Sequence, residues 1–296
     1  AAAAELRRRS VPLSTAPLDA SLFGTDQPSQ SLADSAVELY PRHCAGCHGA
    51  NGDGNGRAAR HLFPKPRDLR NGKPRLVSSL NAVPTLEDLE AVVRQGMPGT
   101  SMRAFENLDQ DRRNELAHEV QRLRREGIRE QVIGELLDEG EEIHQDEVHQ
   151  AVELCITPAE AVSIPRIGPA DSRAIADGKK AYFELGCGNC HGDDGTGPSN
   201  TPLFDDKGRP STPRDLVHEP FKGGHEPESI YLRIFLGMPG TPHPGCWNLP
   251  RQQIIELVHY CRSLSEEPKR VLTNCQRSRP SADDPHVSVR DASPSP

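Results

Sequence analysis

Cys44-Ala45-Gly46-Cys47-His48 returns later in the chain, with two residues changed, as Cys187-Gly188-Asn189-Cys190-His191. In each copy two thiols stand three positions apart and a histidine follows the second. This C-x-x-C-H spacing is the attachment sequence of c-type haem. One turn of backbone brings both sulfurs to one edge of the macrocycle, and the next imidazole ligates the iron. A C-x-x-C pair also serves as a redox couple, and two pairs together can make a four-cysteine zinc site. Neither use requires His after the second Cys, or the Gly that follows both histidines (Gly49 and Gly192). Two covalently bound haem c groups are therefore the expected cofactors. Cys44, Cys47, Cys187 and Cys190 would attach them, and His48 and His191 would ligate the irons.

The likeness extends beyond the motifs. Gly-rich loops follow each histidine, where backbone must pass close to a haem edge. Then come Pro66-Arg67-Asp68-Leu69 and Pro213-Arg214-Asp215-Leu216. A helix expected over Thr85–Gln95 matches one over Glu226–Leu236. Each ends in Gly-Met-Pro-Gly-Thr, at Gly96–Thr100 and Gly237–Thr241. Gly then Pro is a helix stop. From here the halves align without a gap at an offset of 141, so Glu115, Leu116, His118 and Leu123 match Glu256, Leu257, His259 and Leu264. Entry helices are expected from near Ser31 and near Asp171.

The chain has 296 residues, room for two modest domains, yet only 34% are apolar and 4% aromatic. Haem would supply a large apolar plate to each core, so fewer apolar side chains suffice. The 27 Pro and 25 Gly favour long ordered loops, and no alternating run argues for strands. Residues 1–32, with Arg7-Arg8-Arg9, read as an extended segment, and 267–296 as a Pro/Ser-rich tail. Between Glu126 and Glu160 eleven acidic residues face one basic residue, Arg129; this net −10 exceeds the whole chain's −8. Apolar residues from Ile128 to Val152 suggest a broken amphipathic helix there, weakened by Gly134 and Gly140.

In this order of elements the sequence resembles periplasmic dihaem cytochromes c. The matching type is the class I cytochrome c domain with a Gly-x-Pro-Gly-Thr-x-Met loop. The resemblance implies an all-α fold. Two tandem domains, 33–126 and 171–266, would wrap long loops around covalent haem, joined by an acidic, partly helical linker over 127–170.

In that family the sixth ligand is the Met two residues after Thr, which is Met102; Met97 reads as packing and is the alternative. The offset carries Met102 onto His243, a departure from the family pattern. Neutral imidazole is a good iron ligand, so His191 and His243 are the expected pair on the second iron. Met238 is the alternative, and a vacant site the third. The remaining histidines read as surface or locally bonded, with His118 and His259 sharing one structural role. Arg67 and Arg214 recur beside each haem, where a guanidinium fork suits a propionate; the plainer reading is a loop brace to Asp68 or Asp215.

The resemblance implies transfer of single electrons between periplasmic redox partners, or an electron-transfer subunit of a respiratory oxidoreductase complex. An enzyme of the dihaem peroxidase or thiosulfate dehydrogenase type is the alternative. Net acidity without a basic stripe argues against nucleic-acid binding, and no apolar run is long enough for a transmembrane segment. The acidic linker could dock a basic partner. Haem attachment of this kind implies export, with a signal peptide outside the given chain. In an oxidising compartment Cys155, Cys246, Cys261 and Cys275 would form disulfides; Cys246–Cys261 is the expected one, since the aligned Phe105 and Val120 are both apolar, with two small buried thiols, or pairing with Cys155 or Cys275, as the alternatives.

Overall fold

The computed structural model describes residues 38–140, 142–197 and 202–265. The extended segment, the start of the first entry helix, Cys275 and the tail lie outside them.

The first half opens on helical residues 38–43 and a single turn, α1 (Ala45–His48). Helix α2 (Leu86–Gln95) begins in a reciprocal cap: Asp88 N donates to Thr85 Oγ1 at 3.1 Å and Thr85 N to Asp88 Oδ2 at 3.0 Å. It stops at Gly96. Leu39, Tyr40, Val93, Phe105, Leu108, Leu116 and Leu123 form one buried cluster against Cys44, Ala45 and Leu69. Each large side chain there contributes about 1.5–3 kcal/mol.

The closing helix of this half does not end near 126. Helix α3 runs from Gln110 to Asp138, capped by Asp109. It passes through Gly134 and ends before Gly140, whose φ of +71° belongs to the left-handed region. Helix α4 (Gln145–Ile156) then turns back along it. Ile128, Leu136, Val148, Val152 and Ile156 are buried between the two, so the acidic stretch carries a small core of its own. The following residues return along the first half: Leu80 N donates to Glu160 O at 3.0 Å and Val162 N to Ser78 O at 2.8 Å. Val162, Ile164 and Ile167 then enter the second half's core beside Ile230, Tyr231, Ile254 and Val258.

The second half repeats the first: α5 (Ser172–Glu184), α6 (Gly188–His191), α7 (Pro227–Leu236) and α8 (Arg251–Ser263). Helices α5 and α8 cross tightly because residue 178 is Gly; a Cβ there would collide with the Glu256 carbonyl and lie 2.9 Å from Tyr260 Cβ. The fold is all-α as expected, apart from a two-stranded hairpin, β1 (Leu203–Phe204) with β2 (Pro210–Ser211). It falls where the second half has extra residues between its histidine and Pro213.

The expected Cys246–Cys261 disulfide is not formed: both thiols, and that of Cys155, are free. Cys246 and Cys261 each lie near Cys187 instead. Cys155 packs in the separate hairpin core.

Candidate haem-binding sites

The four motif cysteines do not converge on one zinc site, since no metal-holding group of His, Cys, Asp or Glu exists among the described residues. Nor do they look like reactive thiols. Burial pushes Cys44 up to about 12 and Cys187 up to about 11, whereas redox-active cysteines are held low.

Each motif histidine is oriented by the same second contact. His48 Nδ1 lies 2.8 Å from the Arg67 carbonyl, and His191 Nδ1 lies 2.9 Å from the Arg214 carbonyl. A backbone carbonyl can only accept, so Nδ1 carries the proton and Nε2 is left as the electron-pair donor. Burial depresses both imidazoles' proton affinity, which keeps Nε2 open to a metal. A second anchor is also shared. Tyr40 Oη donates to Gly49 O at 3.0 Å, and Tyr182 Oη to Gly192 O at 2.6 Å. Sequence reading missed these two roles: the recurrence of Pro-Arg-Asp-Leu pointed to the arginine side chains, while the backbone carbonyl is what holds the ring.

The opposite loops are superimposable in their bonding. Thr100 Oγ1 donates to Met97 O at 2.8 Å and accepts from Met102 N at 3.1 Å. Thr241 Oγ1 donates to Met238 O at 2.7 Å and accepts from His243 N at 3.2 Å. Met97 N and Met238 N close the loops onto Met102 O and His243 O, at 3.0 and 3.2 Å. Met102 and His243 thus stand at one structural position. The His191 and His243 rings are 6.1 Å apart between centroids, inclined at 69°. Two imidazoles bound to one metal at about 2.0 Å each would have centroids roughly 6 Å apart. These residues fit a haem iron between them. Burial, then His191 and Arg233, push the His243 pKa down to about 4, so the ring is neutral at physiological pH, as a ligand must be.

The arginines differ. Arg214 is engaged by Glu219, Nη1 to Oε2 at 3.0 Å, and its Nε donates to Pro220 O at 2.9 Å. Arg67 has a buried Nη2 with no hydrogen-bond partner, and Arg75 a buried Nε likewise. Burial lowers the pKa of both, the charge of Arg67 lowers that of Arg75 further, and Asp205 and Asp206 oppose the shift at each. Neither Asp68 nor Asp215 braces its arginine. Asp68 Oδ1 accepts from Arg70 N and Asn71 N, and Asp215 Oδ1 from Val217 N and His218 N, so both close local turns. His118 and His259 also part company: His118 is exposed and His259 buried.

The two sites meet. Lys222 Nζ donates to Pro98 O in the first loop. A Cβ on Gly99 would collide with Arg214 Nη1, and one on Gly240 would lie 3.1 Å from Arg67 Nη1. Each distal loop therefore packs on the arginine of the other half.

Comparison with known proteins agrees with this duplication. Residues 31–118 match the family model described as cytochrome c oxidase, cbb3-type, subunit III, and residues 175–265 match that of cytochrome c. No curated protein matches the chain. Among solved structures, the chain is similar to one from the Kuenenia stuttgartiensis reducing HAO-like protein complex Kustc0457/Kustc0458. That similarity has 28% identity and a TM-score of 0.61, covering 78% of this chain and 96% of that one. The chain thus carries two cytochrome c domains in tandem.

Proposed function

We propose that the chain is a dihaem c-type cytochrome that carries single electrons as the electron-transfer subunit of an exported oxidoreductase complex. The observation that carries this reading is the duplicated cradle: a histidine fixed through Nδ1 on one side and a Thr-pinned residue on the other. Cys44 and Cys47 would hold one haem, with His48 and Met102 as axial ligands. Cys187 and Cys190 would hold the other, with His191 and His243. When bound, each haem supplies a one-electron iron couple. The protein's own part is to orient the imidazoles, keep them neutral and exclude water. Arg67, with Arg75 beside it, presents buried donors without protein acceptors, which suits a haem propionate. Arg214 would act alike at the second site, tempered by Glu219.

Reciprocal packing of the distal loops supports exchange of electrons between the two sites within one chain. Membership of the similar solved chain in a multi-protein complex supports a subunit role here. The α3–α4 hairpin would offer an acidic face to a basic partner; Glu130 and Glu153 are already paired, with Arg70 and Arg125. No described helix is long and apolar enough to cross a membrane. Thioether attachment of haem would require assembly outside the cytoplasm, which supports an exported protein. The enzymatic alternative needs a displaceable sixth ligand, and the His191–His243 spacing favours a filled one.

Intact mass and haem staining after denaturing electrophoresis test the proposal. A mass above the polypeptide by two haems, with retained stain, is expected; one haem or none overturns it. Rapid turnover of peroxide or thiosulfate would replace the carrier reading by the enzymatic one.

A further inference from the structure

Arg233 lies on α7, the helix that leads through Gly237 into the His243 loop. Its side chain leaves its own domain. Nη1 donates to Arg75 O at 3.2 Å and Nη2 to Val77 O at 2.6 Å. Among the described residues no carboxylate forms an ion pair with it. Its charged neighbour is Asp88, and that carboxylate is already taken by Ser78 N, Ser78 Oγ and Thr85 N, each at 3.0 Å. A buried guanidinium held by two neutral carbonyls is a costly arrangement unless its charge or its reach is used. The offset of 141 places apolar Val92 at the matching position of the first half. The device belongs to the second site alone.

We propose that Arg233 is a positioning residue that straps the His243 loop to the first domain and places a fixed positive charge beside the second haem site, raising its reduction potential. This rests on the dihaem carrier reading. The sign follows from charge: reduction removes one positive charge from the iron, so a nearby cation favours the reduced form. Burial leaves that interaction poorly screened by salt. Arg233 stands beside the loop that presents His243: the chain leaving His243 bonds back to the next helical residue, Cys246 N donating to Ile234 O at 2.9 Å. Arg233 therefore works against the lowering expected of a second imidazole ligand. It brings the two sites closer in potential, which keeps transfer between them easy in both directions.

The test is a spectroelectrochemical titration of the haem-loaded full chain, with each wave assigned from its axial-ligand spectrum. Wild type should take up two electrons in two waves; an amplitude of fewer than two electrons overturns the dihaem reading itself, whatever Arg233 does. In Arg233→Met the lower wave should fall by a tenfold change in its reduction equilibrium, about 59 mV for one electron, with the upper wave unmoved. Arg233→Lys should keep the lower wave in place while losing the strap, seen as easier unfolding. Where Arg233→Met does not fold, Arg233→Gln should reproduce the fall. A purely structural strap would weaken stability and leave the waves alone. A lower wave unmoved in the uncharged variants, or both waves moved equally, overturns the proposal.

Discussion

In the first half Thr100 pins Met102; in the second Thr241 pins His243, whose ring faces that of His191, through the same pair of hydrogen bonds. The backbone frame is thus indifferent to the residue it presents. Gly, Pro and Thr set the loop, while position 102 or 243 sets the chemistry. A thioether favours ferrous iron more than an imidazole does, so with haem bound as proposed one frame would yield two sites of different potential. The same contrast holds around the frames. Arg67 is left with a buried unpartnered nitrogen, whereas Arg214 has Glu219. Val92, aligned with Arg233, has no side-chain donor to match the two bonds that Arg233 sends into the first half. Duplication supplied the scaffold, and single side chains differentiated it.

The sharpest way to break this comparison is His243→Met, which makes the second loop a copy of the first. The lower redox wave should rise on the order of 0.1 V, since axial ligands span about 0.8 V of haem potential. The two waves would then converge. A titration in which neither wave moves shows that His243 is not the ligand, and the asymmetry must lie elsewhere.

A smaller effect separates the two halves of the interface. Gly99 and Gly240 have φ of +76° and +71°, so any Cβ is strained at both. At Gly99 the new methyl also meets Arg214, which Glu219 and Pro220 hold in place; at Gly240 it meets Arg67 only at 3.1 Å. Gly99→Ala should cost about 2–3 kcal/mol and Gly240→Ala about 1 kcal/mol, from backbone strain and the displaced neighbour. Denaturant unfolding of the haem-loaded protein checks the order. Equal losses would mean that Arg214 yields as easily as Arg67.

Much of the frame was legible because its signals are local. Helix α2 follows from its Thr85 cap and α7 from Pro227 at its start, both stop at a Gly with Pro soon after, and α5 begins after Asp171, which caps it. What escaped is carried by contacts far apart in sequence. Nothing near Gln110 says that α3 continues to Asp138, because its second half is stabilised by Val148 and Val152 on another helix. The acidic stretch reads as a solvated linker until its apolar residues are seen to face one another. Arg233 bonds carbonyls more than 150 residues away, and a backbone acceptor has no sequence signature. The disulfide expectation failed for a related reason. Alignment placed Cys246 and Cys261 on apolar positions, but both thiols neighbour Cys187.

His118 and His259 give the mildest test of the comparison. They align across the halves, yet His118 is exposed and His259 is only 5% exposed, its Nδ1 buried without a hydrogen-bond partner. Burial lowers the pKa of His259, and Arg262 lowers it further, while Asp171 and Glu256 pull the other way. Its folded pKa is therefore below its unfolded value of about 6.5. Below that pH the unfolded chain binds the extra proton more readily, so the stabilising contribution is present above pH 6.5 and is lost as pH falls toward the folded pKa. For one proton the slope cannot exceed about 1.4 kcal/mol per pH unit. Unfolding midpoints of the haem-loaded protein should fall between pH 7 and pH 5. Replacing His259 by Gln should flatten that fall, and His118→Gln should leave it as in wild type. If the two substitutions act alike, burial of His259 is not the source of the pH dependence, and the halves are less different here than their exposures indicate.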